Sequence, residues 1–194
     1  MDVDGSYGRA TVDALQATIG RGSLMATYTP TAGAALVPDV PHISQGDPRI
    51  EAIEIVPGKP VKQIGCLTCC CEAVRASTRG SLTDVGEFVR RMKEADGYDG
   101  AGNLKWDIAA MICGFDNYER DVTLDTAKAR IDNNFPVFLR VIGKSGHEHF
   151  VLGIGYDATG WRVHDVGTRF GSGYTDPARN TFPYDKVTRI DLFA

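Results

Sequence analysis

The sequence predicts an α+β domain in which N-terminal helices pack on an antiparallel sheet. Two patterns and their order give that result. Apolar residues recur at helical spacing through the middle of the chain, whereas short β-branched and aromatic runs separated by polar turns fill the last third. Helices first and strands second is the element order of an α+β fold rather than of alternating βαβ units.

Residues 1–22 read as a turn followed by a short helix, with Val12, Leu15 and Ile19 on one face and Gly20 at its stop. Residues 23–38, "SLMATYTPTAGAALVP", have no sustained period and are expected to be a linker. The main domain is expected over 39–194. Within it, "CCCEAVRAST" runs as a helix toward Gly80. "GSLTDVGEFVRRMKEADG" is amphipathic, with Leu82, Val85, Phe88, Val89 and Met92 on one face and Ser81 as its cap. "NLKWDIAAMICGF" is a helix ended by Gly114. "TLDTAKARIDNN" is another, with Leu124, Ala127 and Ile131 inward and Asn134 near its end. Then come strands: "PVFLRVI", "HFVLGIGY" after the turn "GKSGHE", "WRVHDVG" after the turn "DATG", and finally "KVTRIDLF".

The composition narrows the function classes. Of 194 residues, 43% are hydrophobic and 24% charged, the balance of a folded globular chain, and the net charge of -4 comes without a basic cluster. A nucleic-acid partner gains no electrostatic support from such a surface. No apolar run reaches bilayer length, so membrane insertion is not expected. The start, "MDVDGSYGRA", lacks the basic and apolar regions of a signal peptide, and synthesis in the cytoplasm is expected. Five cysteines cannot all pair, and three of them are adjacent, which argues against a disulfide framework.

Four of those cysteines fall within "CLTCCC", residues 66–71. Cys66 and Cys69 form a C-x-x-C pair, half of a zinc site, but no second half follows, and neither metal nor cofactor is expected. Cys69, Cys70, Cys71 and Cys113 read as small apolar packing residues. Cys66 differs. It follows Gly65 and opens a helix, where the positive end of the macrodipole favours thiolate and a backbone N–H is free for an oxyanion. A nucleophilic thiol needs a base, an orienting acid and a second oxyanion donor. His149, at the start of a strand, is the candidate base. Asp165, one hairpin later, is the candidate orienter, and Gln45 is the candidate donor. Each also has an ordinary explanation as an edge histidine, a turn aspartate and a surface amide.

The order "VPHISQ", "IGCLTCCCEAV", "HFVLGIGYD", "VHDVG" resembles the papain-like cysteine peptidases related to bacteriocin leader peptidases. The resemblance covers about residues 39–194. It implies a papain-like fold, with Gln45 as oxyanion glutamine, Cys66 as nucleophile, His149 as base and Asp165 as orienting acid. Trp106 falls where these proteins often carry a tryptophan. There are departures: Cys69 and Cys70 stand for a Thr-Ser pair, Val166 for a proline, and "GHEHF" makes His147 a competitor on the same strand face as His149. At the N-terminus, "DVDGSYGRATVDALQ" resembles the latter part of small peptidoglycan-binding modules; a turn–helix cap on the main domain is the other reading.

Together these resemblances imply a cysteine hydrolase acting on amide bonds of bacterial peptidoglycan, as a phage endolysin or wall endopeptidase, reaching the wall after release or export. Two alternatives stay open. One is a peptidase for a protein or leader peptide; the other is a non-catalytic wall-binding or interaction protein on the same fold. The sequence leaves the oligomeric state open.

Overall fold

The structure, a computed structural model, describes residues 35–142, 146–167 and 181–194. The chain divides into two compact units, Met1–Thr31 and Ala32–Ala194. The turn–helix expected at residues 1–22 lies outside the described residues. So does most of the linker, but its end does not: Ala35–Leu36 form strand β1. A two-residue strand is too short to show any period, so the sequence could not separate it from linker.

A hairpin of β2 (Glu54–Val56) and β3 (Lys59–Pro60) leads into a single helical turn, α1 (Val61–Ile64). Then follow α2 (Cys66–Arg79), α3 (Val85–Glu94) and α4 (Trp106–Cys113). Helices α2 and α4 end as expected, at Gly80 (φ 57°) and Gly114 (φ 92°), both in the left-handed region that glycine enters without strain. Helix α3 starts later than its pattern suggested. Asp84 is the cap, accepting the Glu87 N–H at 2.9 Å, while the Ser81 N–H closes α2 by donating to Ala76. Leu82 consequently lies outside the helix and is 93% exposed.

Strand β4 (Tyr118–Arg120) precedes α5 (Leu124–Asp132), which Thr123 caps. Leu124, the first residue of α5, is exposed; Ala127 and Ile131 carry the buried face. The remaining strands are β5 (Val137–Ile142), β6 (Glu148–Asp157), β7 (Gly160–His164), β8 (Thr181–Phe182) and β9 (Val187–Phe193). They form an antiparallel sheet in the order β4-β9-β5-β6-β7-β8, and β1 pairs with the far end of β6. Strands β1, β2, β3, β4 and β8 were not legible because each has only two or three residues.

Both faces of the sheet are covered. Phe138, Leu152 and Ile154 face the core built with α2, α3 and α4, whereas Val137, Leu139, Val141 and Val151 pack with Ala127 and Ile131 of α5. This explains why "HFVLGIGY" is apolar without alternation: both sides of β6 are buried.

Helix α2 answers the question of the cysteine run. Thr68 through Val74 are consecutive and all buried, so this helix is enclosed on every side. Only small side chains let a helix approach neighbours all round, and Cys69, Cys70, Cys71, Ala73 and Ala76 supply them. Glu72 is the exception. Wholly buried, it holds Arg75 through two hydrogen bonds of 2.6 and 2.8 Å and accepts the Asp84 N–H, joining α2 to the start of α3. Removing one partner of a buried pair strands the other, which costs roughly 3–5 kcal/mol. Glu72→Ala is expected to lower unfolding free energy by about that amount, whereas Glu87→Ala, which loses an exposed ion-pair cluster, should change it little. Denaturant unfolding of both variants checks the contrast.

Candidate active site

Gly65 fixes how α2 begins. A Cβ placed there would sit 2.5 Å from the Val61 carbonyl oxygen and 2.8 Å from the Val61 Cα, so only glycine allows α1 to turn this tightly into α2. Cys66 is thereby the first residue of α2, at the positive end of a 14-residue helix and half-buried. Helix α2 packs on β6, the strand that carries His149 and Phe150.

His149 bridges the two remaining groups. Its Nε2 hydrogen-bonds Asp165 Oδ1 at 2.7 Å, and its ring is close enough to the Cys66 thiol to shift that thiol's pKa. Burial pushes the Cys66 thiol up. The His149 hydrogen bond and charge, with the N–H groups of Phe150 and Leu67, outweigh it, and the thiol lies below its ordinary value. For His149, burial pushes down while Asp165 and Cys66 pull up, leaving it raised to about 9. Asp165 is raised by burial but held low overall by His149 and by the Gly167 N–H, which donates to Oδ1 at 2.8 Å. Together these shifts favour a thiolate beside an imidazolium that a carboxylate steadies. The other buried cysteines are pushed upward, Cys69, Cys70, Cys71 and Cys113 alike, so Cys66 stands apart.

The two histidines differ in placement. Strand β6 begins at Glu148, so His147 precedes the strand instead of sharing a face with His149, and it is exposed. Asp165 lies just past the end of β7. Val166, in place of proline, is buried in the core.

What the sequence did not disclose is the strap that holds this turn. His42 Nε2 donates to the Asp165 carbonyl at 2.9 Å, the Gln45 N–H to the Val166 carbonyl at 2.9 Å, and Ser44 Oγ to the Gly167 carbonyl at 3.1 Å. Three carbonyls in a row are thus satisfied by one segment more than a hundred residues away. The buried imidazole of His164 meets His42 edge-on, with centroids 5.3 Å apart. Burial, then the His42 charge, lower His164 to about 4, so it stays neutral.

Gln45 also reaches the other side of the site. Its Nε2 donates to the carbonyls of Lys62 at 2.8 Å and Val61 at 3.3 Å, tying the strap to α1 immediately before Cys66. Both amide protons are therefore engaged in this structure, and Gln45 Oε1 is buried without a hydrogen-bond partner. Trp106 packs against Phe150, the neighbour of His149. It stacks on Tyr118 and meets Phe138, Phe150 and Phe193 edge-on at centroid distances of 5.2–6.1 Å. Among the described residues, no group of three or more His, Cys, Asp or Glu is placed to hold a metal ion.

No protein-family model matches the chain, and no curated protein matches it. A solved structure does: a protein described as a C39-like peptidase, from Bacillus anthracis, superimposes with a TM-score of 0.52 at 12% identity. The match covers 84% of this chain and 98% of that one. The chain has the papain-like cysteine peptidase fold expected from its sequence.

The two buried imidazoles should titrate far apart. Histidine NMR signals are expected to place His149 near 9 and His164 near 4; a common midpoint near the ordinary histidine value would contradict the geometry. The sign for stability follows. Because folding raises the His149 pKa, its contribution is full below the unfolded-state value and is lost as pH rises through about 9.

Proposed function

We propose that the protein is a cysteine hydrolase that cleaves amide bonds by acyl transfer through Cys66. The observation that carries this reading is the 2.7 Å His149–Asp165 hydrogen bond beside Cys66, whose thiol stands at a helix N-terminus and is lowered by His149. Cys66 attacks the carbonyl carbon as thiolate. His149 gives its proton to the leaving amine, then takes one from water for deacylation. Asp165 keeps the imidazole oriented and stabilises its charge.

The oxyanion forms beside the first turn of α2, where the Cys66 N–H has no acceptor within its own helix. Gln45 is the second donor. It serves once it releases the longer of its two bonds, that to Val61 at 3.3 Å, and turns one N–H toward the substrate. The reaction needs no metal or cofactor.

For substrate we propose the peptide part of bacterial peptidoglycan, met after release from or export by the producing cell, as by an endolysin or wall endopeptidase. The support is "DVDGSYGRATVDALQ" in the first unit, with its likeness to wall-binding modules. A peptidase for a protein or leader peptide shares every catalytic step. Incubation with purified peptidoglycan and, in parallel, with a denatured protein separates the two, and mass spectrometry of the released fragments fixes the bond. Fragments from peptidoglycan are expected; fragments from the protein alone would overturn the wall assignment.

The residues divide by severity. Loss of a general base costs on the order of a hundredfold or more in rate. His149→Ala should match Cys66→Ala, Asp165→Asn should fall between these and wild type, and His147→Ala should keep most activity. Full activity in Cys66→Ala would end the hydrolase reading. The acid limb of the pH–rate profile belongs to Cys66 and falls below the ordinary thiol range. The alkaline limb belongs to His149, with loss of rate above about pH 9.

A further inference from the structure

The C-x-x-C pair of residues 66 and 69 is used neither by the metal chemistry that first suggests itself nor by the hydrolytic mechanism. Its placement is specific. Cys66 is the first residue of α2 and half-exposed; Cys69 is one turn on, wholly buried, with its N–H donating to the Gly65 carbonyl at 2.9 Å to close that first turn. Side chains three apart on a helix are neighbours, about 5–6 Å between Cβ atoms. A C-x-x-C pair at a helix N-terminus is an established frame for a thiol that alternates with a disulfide. All five cysteines are free in this structure.

Two of the other thiols are committed elsewhere, and Cys71 is five residues from Cys66. Cys70 Sγ donates to the Phe150 carbonyl of β6 at 3.8 Å, and Cys113 Sγ donates to the Cys71 carbonyl at 3.4 Å. Cys69 alone combines the three-residue spacing with a sulfur engaged in no hydrogen bond described here.

We propose that Cys66 and Cys69 form a reversible dithiol–disulfide site that a hydroperoxide oxidises, closing the nucleophile against further oxidation. The proposal rests on Cys66 being the reactive thiolate. In the first step the thiolate attacks a peroxide oxygen; the S–O bond forms, the O–O bond breaks, and the alkoxide leaves with the His149 proton as an alcohol. Cys66 is then a sulfenic acid, oxidised by two electrons as the peroxide is reduced. In the second step Cys69 sulfur attacks Cys66 sulfur; the S–S bond forms, and hydroxide leaves with the Cys69 proton as water. Two equivalents of an external thiol reverse it. The first attacks Cys66, the sulfur within reach, and releases Cys69; the second attacks the mixed disulfide and frees Cys66. Burial pushes the Cys69 thiol well up, so it stays a protonated thiol while Cys66 meets the peroxide.

The test is a peptide map of the intact protein after limited hydrogen peroxide, with and without dithiothreitol. The wild type should show a Cys66–Cys69 cross-link, a loss of two hydrogens, and activity lost to peroxide should return with dithiothreitol. Cys69→Ala should instead gain two oxygens at Cys66 as the sulfinic acid and recover none of its lost activity, while Cys70→Ala should behave as wild type. A cross-link to Cys70, or wild-type Cys66 passing to sulfinic acid without any cross-link, would overturn the proposal. Should Cys69→Ala fail to fold, the wild-type map decides alone. Because the map reads mass and not turnover, it also stands if no amide substrate is cleaved.

Discussion

The hydrogen bond between His149 and Asp165 is the interaction on which the site depends, and much of the surrounding structure holds its acceptor still. Asp165 lies past the end of β7, where a free turn would wander. The 42–45 strap prevents this by donating to the carbonyls of residues 165, 166 and 167 in series, and the Gly167 N–H returns to the carboxylate itself. A buried carbonyl without a donor costs about 1–3 kcal/mol. The strap therefore satisfies the turn and fixes it in one operation. Gln45 extends the same segment to α1, so one short stretch positions both Asp165 and the entry to the helix that Cys66 opens.

The Cys66 side of the site obeys a packing constraint instead. Helix α2 is enclosed by α3, α4 and the sheet, and large side chains would push it off β6. Small cysteines and alanines bring it close, and closeness is what puts Cys66 within hydrogen-bonding reach of His149. Burial alone would keep that thiol protonated; the imidazolium and the backbone N–H groups reverse the balance for Cys66 and for no other cysteine. The same closeness sets a second sulfur beneath the first.

The sequence was most readable where periodicity is long. Helices α3, α4 and α5 and strands β5, β6, β7 and β9 each declare themselves over five or more residues, and Cys66, His149 and Asp165 followed from helix start, strand start and hairpin. It was least readable where a role depends on a distant partner. Nothing near His42 or Ser44 announces that each will hold a carbonyl 123 residues away. Ser81 looked like a cap because the short polar turn offers several candidates, and Asp84 takes the role because only there does the helix begin. The sequence favoured His149 with His147 as a competitor on the same face, and it could not show that the strand begins only after His147.

The central claim is that His149 holds the Cys66 thiol below its ordinary ionisation range. Thiolate absorbance in the far ultraviolet measures it directly, as the difference between wild type and Cys66→Ser across a pH titration. The account predicts that the wild-type Cys66 thiol ionises below the ordinary cysteine range and that His149→Ala moves its ionisation upward. A wild-type thiol that ionises only in the ordinary cysteine range, or one whose ionisation His149→Ala leaves unchanged, would contradict it.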